Sequence, residues 1–343
     1  MATPRRKKPP VPPGFDMLLQ LQPLRPVTVA KQAVTSDDDV VAVKHELERL
    51  AGGSDRLAVR LGHVLRRALD RSYDGLATGR FHLAQLSKTE KAHTGSLFEI
   101  ELQKEFDFAD GHDTDYQILG MDVDAKYTHS RRGTSPAWMI GPEIEGNIAL
   151  VATADDYSSV WSAWLVWVTP GRRNVGDNRD AKANLNQEGR DARIPIAVNA
   201  PLPPNDLLQR PVDAYEVMKF QGLRQGQKRV LELCRRFEGN RLSRTTVVTV
   251  AKQLDGPKRM RESGGARTLL ADEGFLVIGH ESCYHAVVKA LGLPSPERGE
   301  FIPLRVAPAA AEDPEPSFED VHGNRWRRAR RGERCTCVPT LPA

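Results

Sequence analysis

The stretch TDYQILGMDVDAKYTHS, residues 114 to 130, decides the fold prediction because it reads as two short strands joined by a turn. Side chains two apart in a strand point to the same face, so Asp122, Asp124 and Lys126 are expected to project together. The glycine turn between the strands is short enough to bring Asp115 beside Asp124 across a hairpin. Two carboxylates in one small space repel each other, and either protonation of one or a bound cation relieves the repulsion.

A carboxylate pair of this kind suits a hard divalent cation such as Mg²⁺, which prefers oxygen ligands and keeps several of its waters. Lys126 on the same face could orient an attacking water or neutralise charge on a phosphorus centre. Asp115, followed nine residues later by Asp124-Ala125-Lys126, has the spacing of the PD-(D/E)xK nuclease pattern, and Glu99 lies 16 positions upstream. The competing interpretation is a charged row on a solvent-facing edge strand, since D-x-K tripeptides are common by chance.

Helical and strand patterns surround this hairpin. Two amphipathic helices are predicted within DDDVVAVKHELERLAGG and SDRLAVRLGHVLRRALDRSYDG, and a third from His93 to Phe108 with Thr94 as its cap. The apolar runs NIALVATA and SAWLVWVT are predicted to be buried central strands. The N-terminal part is therefore predicted to be an α/β domain with a mixed sheet flanked by helices.

The character of the chain changes after NAPLPPNDLLQRP, which carries four prolines and is predicted to be a linker. GQKRVLELCRRF and SRTTVVTVAKQL are predicted to be helices, the second capped by Ser243, and a candidate recognition helix runs from Pro257 to Leu270. The segments FLVIG, YHAVV and FIPLRV supply short strands or a helix and a wing. This order predicts a winged helix-turn-helix DNA-binding domain.

The chain, at 343 residues with 40% apolar residues, is long enough for two domains with their own cores. No window approaches the apolar length of a membrane span, and the basic start lacks the apolar region of a signal peptide, so a cytoplasmic protein is expected. Four scattered cysteines predict reduced thiols. The predicted division is a basic, proline-rich and loosely packed arm at 1–36, an endonuclease domain at 37–200, a linker at 201–213, a DNA-binding domain at 214–308 and a disordered tail at 309–343.

Basic residues are concentrated in the C-terminal part, where residues 219–300 hold 15 Lys and Arg against 9 Asp and Glu, although the net charge of the chain is only +4. Arg, Lys and Asn are side chains that reach phosphates and the edges of guanine and adenine. A solvated polar loop and an idle basic helical face are the alternatives. The candidate DNA contacts are Asn178, Arg179 and Lys182 in the first domain and Lys258, Arg259, Arg261 and Arg267 in the second.

Two other features are interpreted as structural. His93 precedes a predicted helix cap, where a surface or capping role is more typical than a catalytic one. Trp161, Trp164 and Trp167 recur every three residues, but the surrounding Val and Leu favour a buried strand over a base-stacking surface.

Three segments together resemble the NaeI family of restriction endonucleases. They are YDGLATGRFHLAQLSKTEKAHTGSLFEIELQKEF from Tyr73, then TDYQILGMDVDAKYT, and NRDAKANL followed by Gly189-Arg190. The similarity runs from Tyr73 to Arg190 and continues more loosely from Lys219 to Pro308. Members of that family join an N-terminal endonuclease domain to a C-terminal DNA-binding domain of the winged helix-turn-helix type.

Carried over position by position, the resemblance places the acidic catalytic residues of the family on Glu99, Asp115 and Asp124, and its lysine on Lys126. It implies that the three carboxylates are the metal ligands. Ala125, between the aspartate and the lysine, is expected to face away from the metal. The segment THSRRGTSPAWMIGPEIEG is long for the family, and its role is left open.

The resulting prediction is a Mg²⁺-dependent type II restriction endonuclease that cuts both strands of duplex DNA. The resemblance implies the IIE subtype, in which the C-terminal domain binds a second DNA copy. A palindromic site is met most simply by a symmetric homodimer. Two alternatives stay open: a DNA-binding transcriptional regulator with an inactive nuclease-like domain, and a nicking or mismatch endonuclease on the same scaffold.

Overall fold

The structure is a computed structural model that describes residues 26–129, 135–176, 179–220 and 225–342. Its N-terminal unit is a six-stranded sheet in the order β1-β2-β3-β4-β5-β6, in which β3 and β4 are parallel and the other neighbours antiparallel. The strands are β1 (Ala109–Asp110), β2 (Tyr116–Ile118), β3 (Met121–His129), β4 (Ile148–Asp155), β5 (Val160–Trp167) and β6 (Ile194–Pro201). The helices are α1 (Asp37–Ala51), α2 (Ser54–Tyr73), α3 (Gly75–Thr78), α4 (Lys88–Phe106) and α5 (Gln187–Asp191).

Periodic apolar residues place these helices against the sheet. Leu61 and Leu65 of α2 are buried with Leu97 of α4 in the core that also holds Leu150 of β4 and Trp161 of β5. Burial of such side chains stabilises each helix more than its intrinsic propensity does. The prediction of a mixed sheet flanked by helices is confirmed, as is the prediction of strands at NIALVATA and SAWLVWVT.

The third helix begins earlier than its predicted start at His93. The Ser87 hydroxyl accepts a hydrogen bond from the Glu90 N–H at 3.3 Å, and the Glu90 carboxylate accepts one from the Ser87 N–H at 2.8 Å. This reciprocal capping box sets the start of α4, so His93 and Thr94 lie inside the helix and Thr94 is no cap.

The described part of the chain before α1 packs more closely than the predicted loose arm. We call residues 26–36 the N-terminal strap. Val29 exchanges two hydrogen bonds with the Gln117 side chain of β2, from its N–H at 2.8 Å and to its carbonyl at 2.9 Å. The Gln32 N–H donates to the Gly120 carbonyl in the turn between β2 and β3 at 2.8 Å. The strap therefore holds the β2–β3 hairpin from outside the sheet.

The C-terminal unit combines short helices with an antiparallel four-stranded sheet in the order β7-β8-β10-β9. Its strands are β7 (Phe275–Ile278), β8 (Ile302–Pro308), β9 (Ser317–Glu319) and β10 (Arg325–Arg328). Its helices are α6 (Asp206–Gln209), α7 (Pro211–Met218), α8 (Gly226–Arg236), α9 (Arg244–Ala251), α10 (Ala266–Leu269) and α11 (His285–Ala290). The predicted linker at 201–213 thus contains α6 and the start of α7. Across the described ranges, no helix has the length and apolar character needed to cross a membrane.

The predicted recognition helix from Pro257 to Leu270 is wrong as one continuous element. The segment is a 3₁₀ turn from Gly256 to Met260, an extended Arg261 and then the four-residue α10. Gly264 has a φ of +73°, and a side chain on Gly265 would overlap the backbone of Arg261. This close turn breaks the helix, because the chain doubles back where two glycines permit it.

The predicted disorder of residues 309–343 is also wrong for the part of this segment that the structure describes. β10 pairs with both β8 and β9, and Trp326 is buried in the core between this sheet and α11. The acidic and arginine-rich parts of the segment form ion pairs with each other, Arg327 with Asp313 at 2.8 Å and Arg330 with Glu315 at 3.0 Å. Buried Arg327 also pairs with Glu333 at 2.8 Å. Charge composition alone indicated disorder, but the opposite charges meet in the fold.

Candidate active site

The β2–β3 hairpin brings Asp115 and Asp124 together. Tyr116 pairs with Val123 in the strand register, so Asp115, one residue before β2, lies opposite Asp124. Its Oδ2 accepts a hydrogen bond from the Ala125 N–H at 2.8 Å, which ties the carboxylate to the middle of β3. The structure therefore has the predicted juxtaposition of the two aspartates.

Lys126 lies on the same edge of β3 as Asp124, and its ammonium forms an ion pair with the Asp124 carboxylate. Asp124 is only 7% exposed. Burial raises the pKa of Asp124 to about 6, with Asp115 adding to the rise and Lys126 opposing it. Lys126 is a quarter exposed on its side chain, so it can face both the aspartate and a bound molecule.

Glu99 on α4 completes the predicted set. The Tyr116 hydroxyl donates to the Glu99 carbonyl at 2.6 Å, which fixes this turn of α4 against β2. Burial raises the pKa of Glu99 to about 7, and repulsion from Asp115 and Asp124 adds to the rise, while Lys126 lowers it. The four side chains thus act on one another electrostatically.

Asp122 is not part of this set, although it lies two residues from Asp124. Its carboxylate accepts hydrogen bonds from the backbone N–H groups of His112 and Asp113, each at 3.1 Å, and pairs with Lys31 of the strap at 3.0 Å. Burial acts to raise the pKa of Asp122, but these donors and the ammonium lower it. Asp122 is a structural residue that fastens the loop before β2 and the strap to β3.

The donor set fits a hard divalent cation. Carboxylate oxygens are the ligands that Mg²⁺ prefers. Burial is the first cause of the raised pKa values of Glu99 and Asp124, and repulsion from neighbouring carboxylates, which a bound cation relieves, adds to it. Within the described chain, no three His, Cys, Asp or Glu side chains already converge as a preformed metal cluster. Binding of a cation therefore requires the carboxylates to converge further, and the Asp124 carboxylate is at present paired with Lys126.

The described DNA-contact candidates of the first domain, Arg179 and Lys182, lie on a loop that is joined to the segment before β4. Arg173 at the base of this loop pairs with Glu145 at 2.5 Å, and Ile140 bonds through its backbone to Ala183 at the other end. Arg179 is exposed on the loop and Lys182 is half-buried. The remaining candidate of this domain, Asn178, lies outside the described residues.

The candidates of the second domain divide into two groups. Lys258 and Arg261 are exposed, and Arg259 is half-buried with a hydrogen bond to Gln253 at 2.8 Å. Arg267 is instead engaged within the protein: its guanidinium contacts both Glu281 oxygens, at 3.0 and 2.8 Å, and lies over the Tyr284 ring. This internal pairing corrects the prediction that Arg267 is available to DNA.

Sequence reasoning missed one acidic residue at the edge of the site. Glu143 lies on a 3₁₀ turn from Pro142 to Ile144, just before β4, and its charge contributes to the raised pKa of Asp124. No motif in the sequence marks this position. The only available signal was the length of the segment between β3 and β4.

A mixed sheet that presents two aspartates and a lysine on one hairpin, with a glutamate from the adjoining helix, fits the fold of a nuclease. Comparison with known families matches residues 49–337 to the family described as Restriction endonuclease NaeI. The Type II restriction enzyme NaeI of Lentzea aerocolonigenes is 40% identical over 316 residues, which cover 91% of this chain and 96% of that protein. The chain belongs to the NaeI family of restriction endonucleases.

Family membership confirms the predicted resemblance and the prediction of an enzyme. The chain is a site-specific restriction endonuclease, hence a DNA-binding hydrolase.

Proposed function

We propose that this enzyme hydrolyses phosphodiester bonds in both strands of duplex DNA with Mg²⁺ held by Asp115 and Asp124 and assisted by Glu99. When bound, the cation supplies Lewis-acid stabilisation of the phosphate and lowers the pKa of a coordinated water. The single observation that carries the proposal is the hairpin contact of Asp115 with Ala125, which sets Asp115 beside the Asp124–Lys126 pair.

Each residue of the proposed site has a separate role in the reaction. The Asp115 and Asp124 carboxylates bind and orient the cation. Burial raises the pKa of Glu99 to about 7, so Glu99 can release a proton when the cation binds. The Lys126 ammonium orients the attacking water and neutralises charge that develops on the phosphoryl oxygens. Lys126 is held for this role by its contact with Asp124.

The second part of the proposal concerns DNA and assembly. Exposed Arg179, Lys258 and Arg261, together with Lys182 and Arg259, contact the DNA backbone or base edges. Binding of a second DNA copy by a winged helix-turn-helix in the C-terminal unit is inferred from the family resemblance, and a homodimer is inferred from the symmetry of a two-strand cut. A cytoplasmic location is proposed from the sequence, in which no window approaches the apolar length of a membrane span.

Digestion of plasmid and phage DNA tests the proposal. The wild-type protein is expected to give discrete double-strand fragments with Mg²⁺ and none with EDTA. Asp124→Ala and Lys126→Ala each remove a group that stabilises the transition state, so cleavage should fall by about 100-fold or more, while gel-shift binding to DNA without metal persists.

Other outcomes identify the alternatives. A gel shift without any fragments supports a regulator with an inactive nuclease-like domain, and cuts in one strand only support a nicking or mismatch enzyme. Cleavage by Asp124→Ala at the wild-type rate contradicts the assignment of the site.

A further inference from the structure

The segment that leads into β4 is rigidly built. The indole N–H of buried Trp138 donates to the Ala152 carbonyl at 2.8 Å. Ile140 exchanges two backbone hydrogen bonds with Ala183, both at 2.9 Å, and Ile144 is fully buried beside Trp138. These contacts hold residues 138–147 against β4 and the 171–185 loop. The exposed residues between the buried ones, such as Glu143, therefore have defined positions.

Strand register brings this segment to the level of the candidate active site. β4 runs parallel to β3, with Ile148 paired to Val123 and Ala149 paired to Asp124. The 3₁₀ turn from Pro142 to Ile144 immediately precedes β4. The turn thus lies at the end of the sheet where Asp124 is presented.

Glycine at position 141 makes room for the Glu143 carboxylate. A side chain on Gly141 would overlap both carboxylate oxygens of Glu143, so this carboxylate folds back over the bare Gly141 backbone. Within the described chain Glu143 has no hydrogen bond or ion pair, whereas its neighbour Glu145 is paired with Arg173. Its carboxylate therefore lies, without a counter-charge among the described residues, on the turn that leads into β4, at the end of the sheet where Ala149 pairs with Asp124.

A lone carboxylate beside a phosphate-binding site is unfavourable unless a cation compensates it, because DNA and the carboxylate are both negative. The proposed site already has three carboxyl groups, on Glu99, Asp115 and Asp124, and only one positive side chain, Lys126. The Glu143 carboxylate is a fourth negative group without a counter-charge in the described chain. Because its segment is held in place, it strengthens the attraction for a divalent cation at the end of the sheet where Asp124 lies.

We propose that Glu143 is a positioning residue of the candidate active site, acting through bound water to hold the divalent cation that Asp115 and Asp124 bind. This inference rests on the proposed function. It also assigns a role to residues 138–147 of the segment before β4, which present Glu143.

Cation binding in the absence of DNA tests this role without depending on cleavage. Free Mn²⁺ is measured by electron paramagnetic resonance during titration of the wild-type protein and of Glu143→Gln. Loss of an outer-shell carboxylate is expected to weaken Mn²⁺ binding about 10-fold. The matched control is Glu319→Gln, which removes one exposed carboxylate on β9 and is expected to bind Mn²⁺ like the wild type.

The dependence of cleavage on Mg²⁺ concentration gives a second readout. Glu143→Gln is expected to need about 10-fold more Mg²⁺ for half-maximal cleavage, with the maximal rate restored at high Mg²⁺. A purely structural defect would lower the maximal rate and would not be rescued by the metal.

The outcomes separate this inference from the proposed function. If Asp124→Ala loses Mn²⁺ binding while Glu143→Gln binds like Glu319→Gln, Glu143 has no such role and the proposed site stands. Weaker DNA binding by Glu143→Gln in EDTA, with unchanged Mn²⁺ affinity, also contradicts the inference and indicates a DNA contact. If the wild type and Asp124→Ala do not differ in Mn²⁺ binding, the proposed metal site itself fails.

Discussion

At the scale of single residues, Asp122 and Asp124 show how surroundings decide the role of a side chain. They lie two positions apart on β3, yet backbone N–H groups and Lys31 lower the pKa of Asp122 while burial raises the pKa of Asp124 to about 6. The spacing of the sequence was enough to predict that Asp115 lies opposite Asp124. The spacing could not show that Asp122 lies outside the candidate active site, because its partner Lys31 comes from a distant segment that no local pattern connects to β3.

Glu99 offers a residue-scale test through the effect of pH on stability. Its pKa is raised from 4.5 to about 7 in the folded protein. Between these values the folded state binds a proton that the unfolded state has released, so the contribution of Glu99 to stability falls as pH rises through this window. We expect Glu99→Gln to stabilise the metal-free protein at pH 8 by about 1–2 kcal/mol, after discounting for partial exposure.

Urea denaturation at pH 8 and at pH 5 measures this effect. The gain should shrink at pH 5, where the wild-type Glu99 is protonated and already neutral in the fold. Glu319→Gln serves as the control and should show no such dependence on pH. An equal or larger gain at pH 5 would show that charge on Glu99 is not the cause.

At the scale of elements, the predictions succeeded where local patterns determine the structure. The β2–β3 hairpin and the central strands β4 and β5 follow from alternation and apolar runs. The prediction of a continuous recognition helix failed for a local reason, because the chain turns at Gly264 and Gly265. The prediction of a disordered tail failed because the structure of this segment depends on the pairing of β10 with β8. Sequence composition does not encode such pairings.

Arg327 on β10 provides the element-scale test. Its side chain is buried, and it pairs with Asp313 and with both oxygens of Glu333. Arg327→Ala leaves these carboxylates without their cation, so it is expected to cost about 3 kcal/mol of folding free energy. Arg331→Ala, which truncates an exposed arginine nearby, should cost less than about 0.5 kcal/mol. Equal denaturation midpoints for the two variants would mean that the tail does not contribute to the folded core.

At the scale of the whole molecule, the two units meet along a contact rich in hydrogen bonds. The Asn205 amide donates to the Phe81 carbonyl at 2.8 Å and to Asp156 at 3.3 Å. Next to it, Asp206 accepts from the Ser243 N–H and the Thr246 hydroxyl, both at 2.7 Å. The start of α9 is thereby tied to the segment that leaves the nuclease sheet. The sequence indicated only a proline-rich linker here, because the partners of these side chains lie in other parts of the chain.

Close packing of α3 against α9 gives a test of this contact. A side chain on Gly75 would overlap the Thr249 hydroxyl, so Gly75→Ala is expected to destabilise the protein by about 1–3 kcal/mol. Thr249→Ala removes the overlapping atoms, and the double variant should regain most of the loss. Thermal melting of the two single variants and the double variant measures this coupling. Additive losses would show that the two positions do not touch.

The N-terminal strap has a practical consequence for experiments on this enzyme. Val29 and Lys31 fasten it to the same hairpin that carries Asp115 and Asp124, so any loosening of that hairpin frees the strap. Limited digestion by trypsin at Lys31 therefore works as a gauge of hairpin integrity. Conditions that stabilise the hairpin are expected to slow cleavage by trypsin at Lys31. The rate of this cleavage, followed on a gel, then reports whether β2 and β3 are intact.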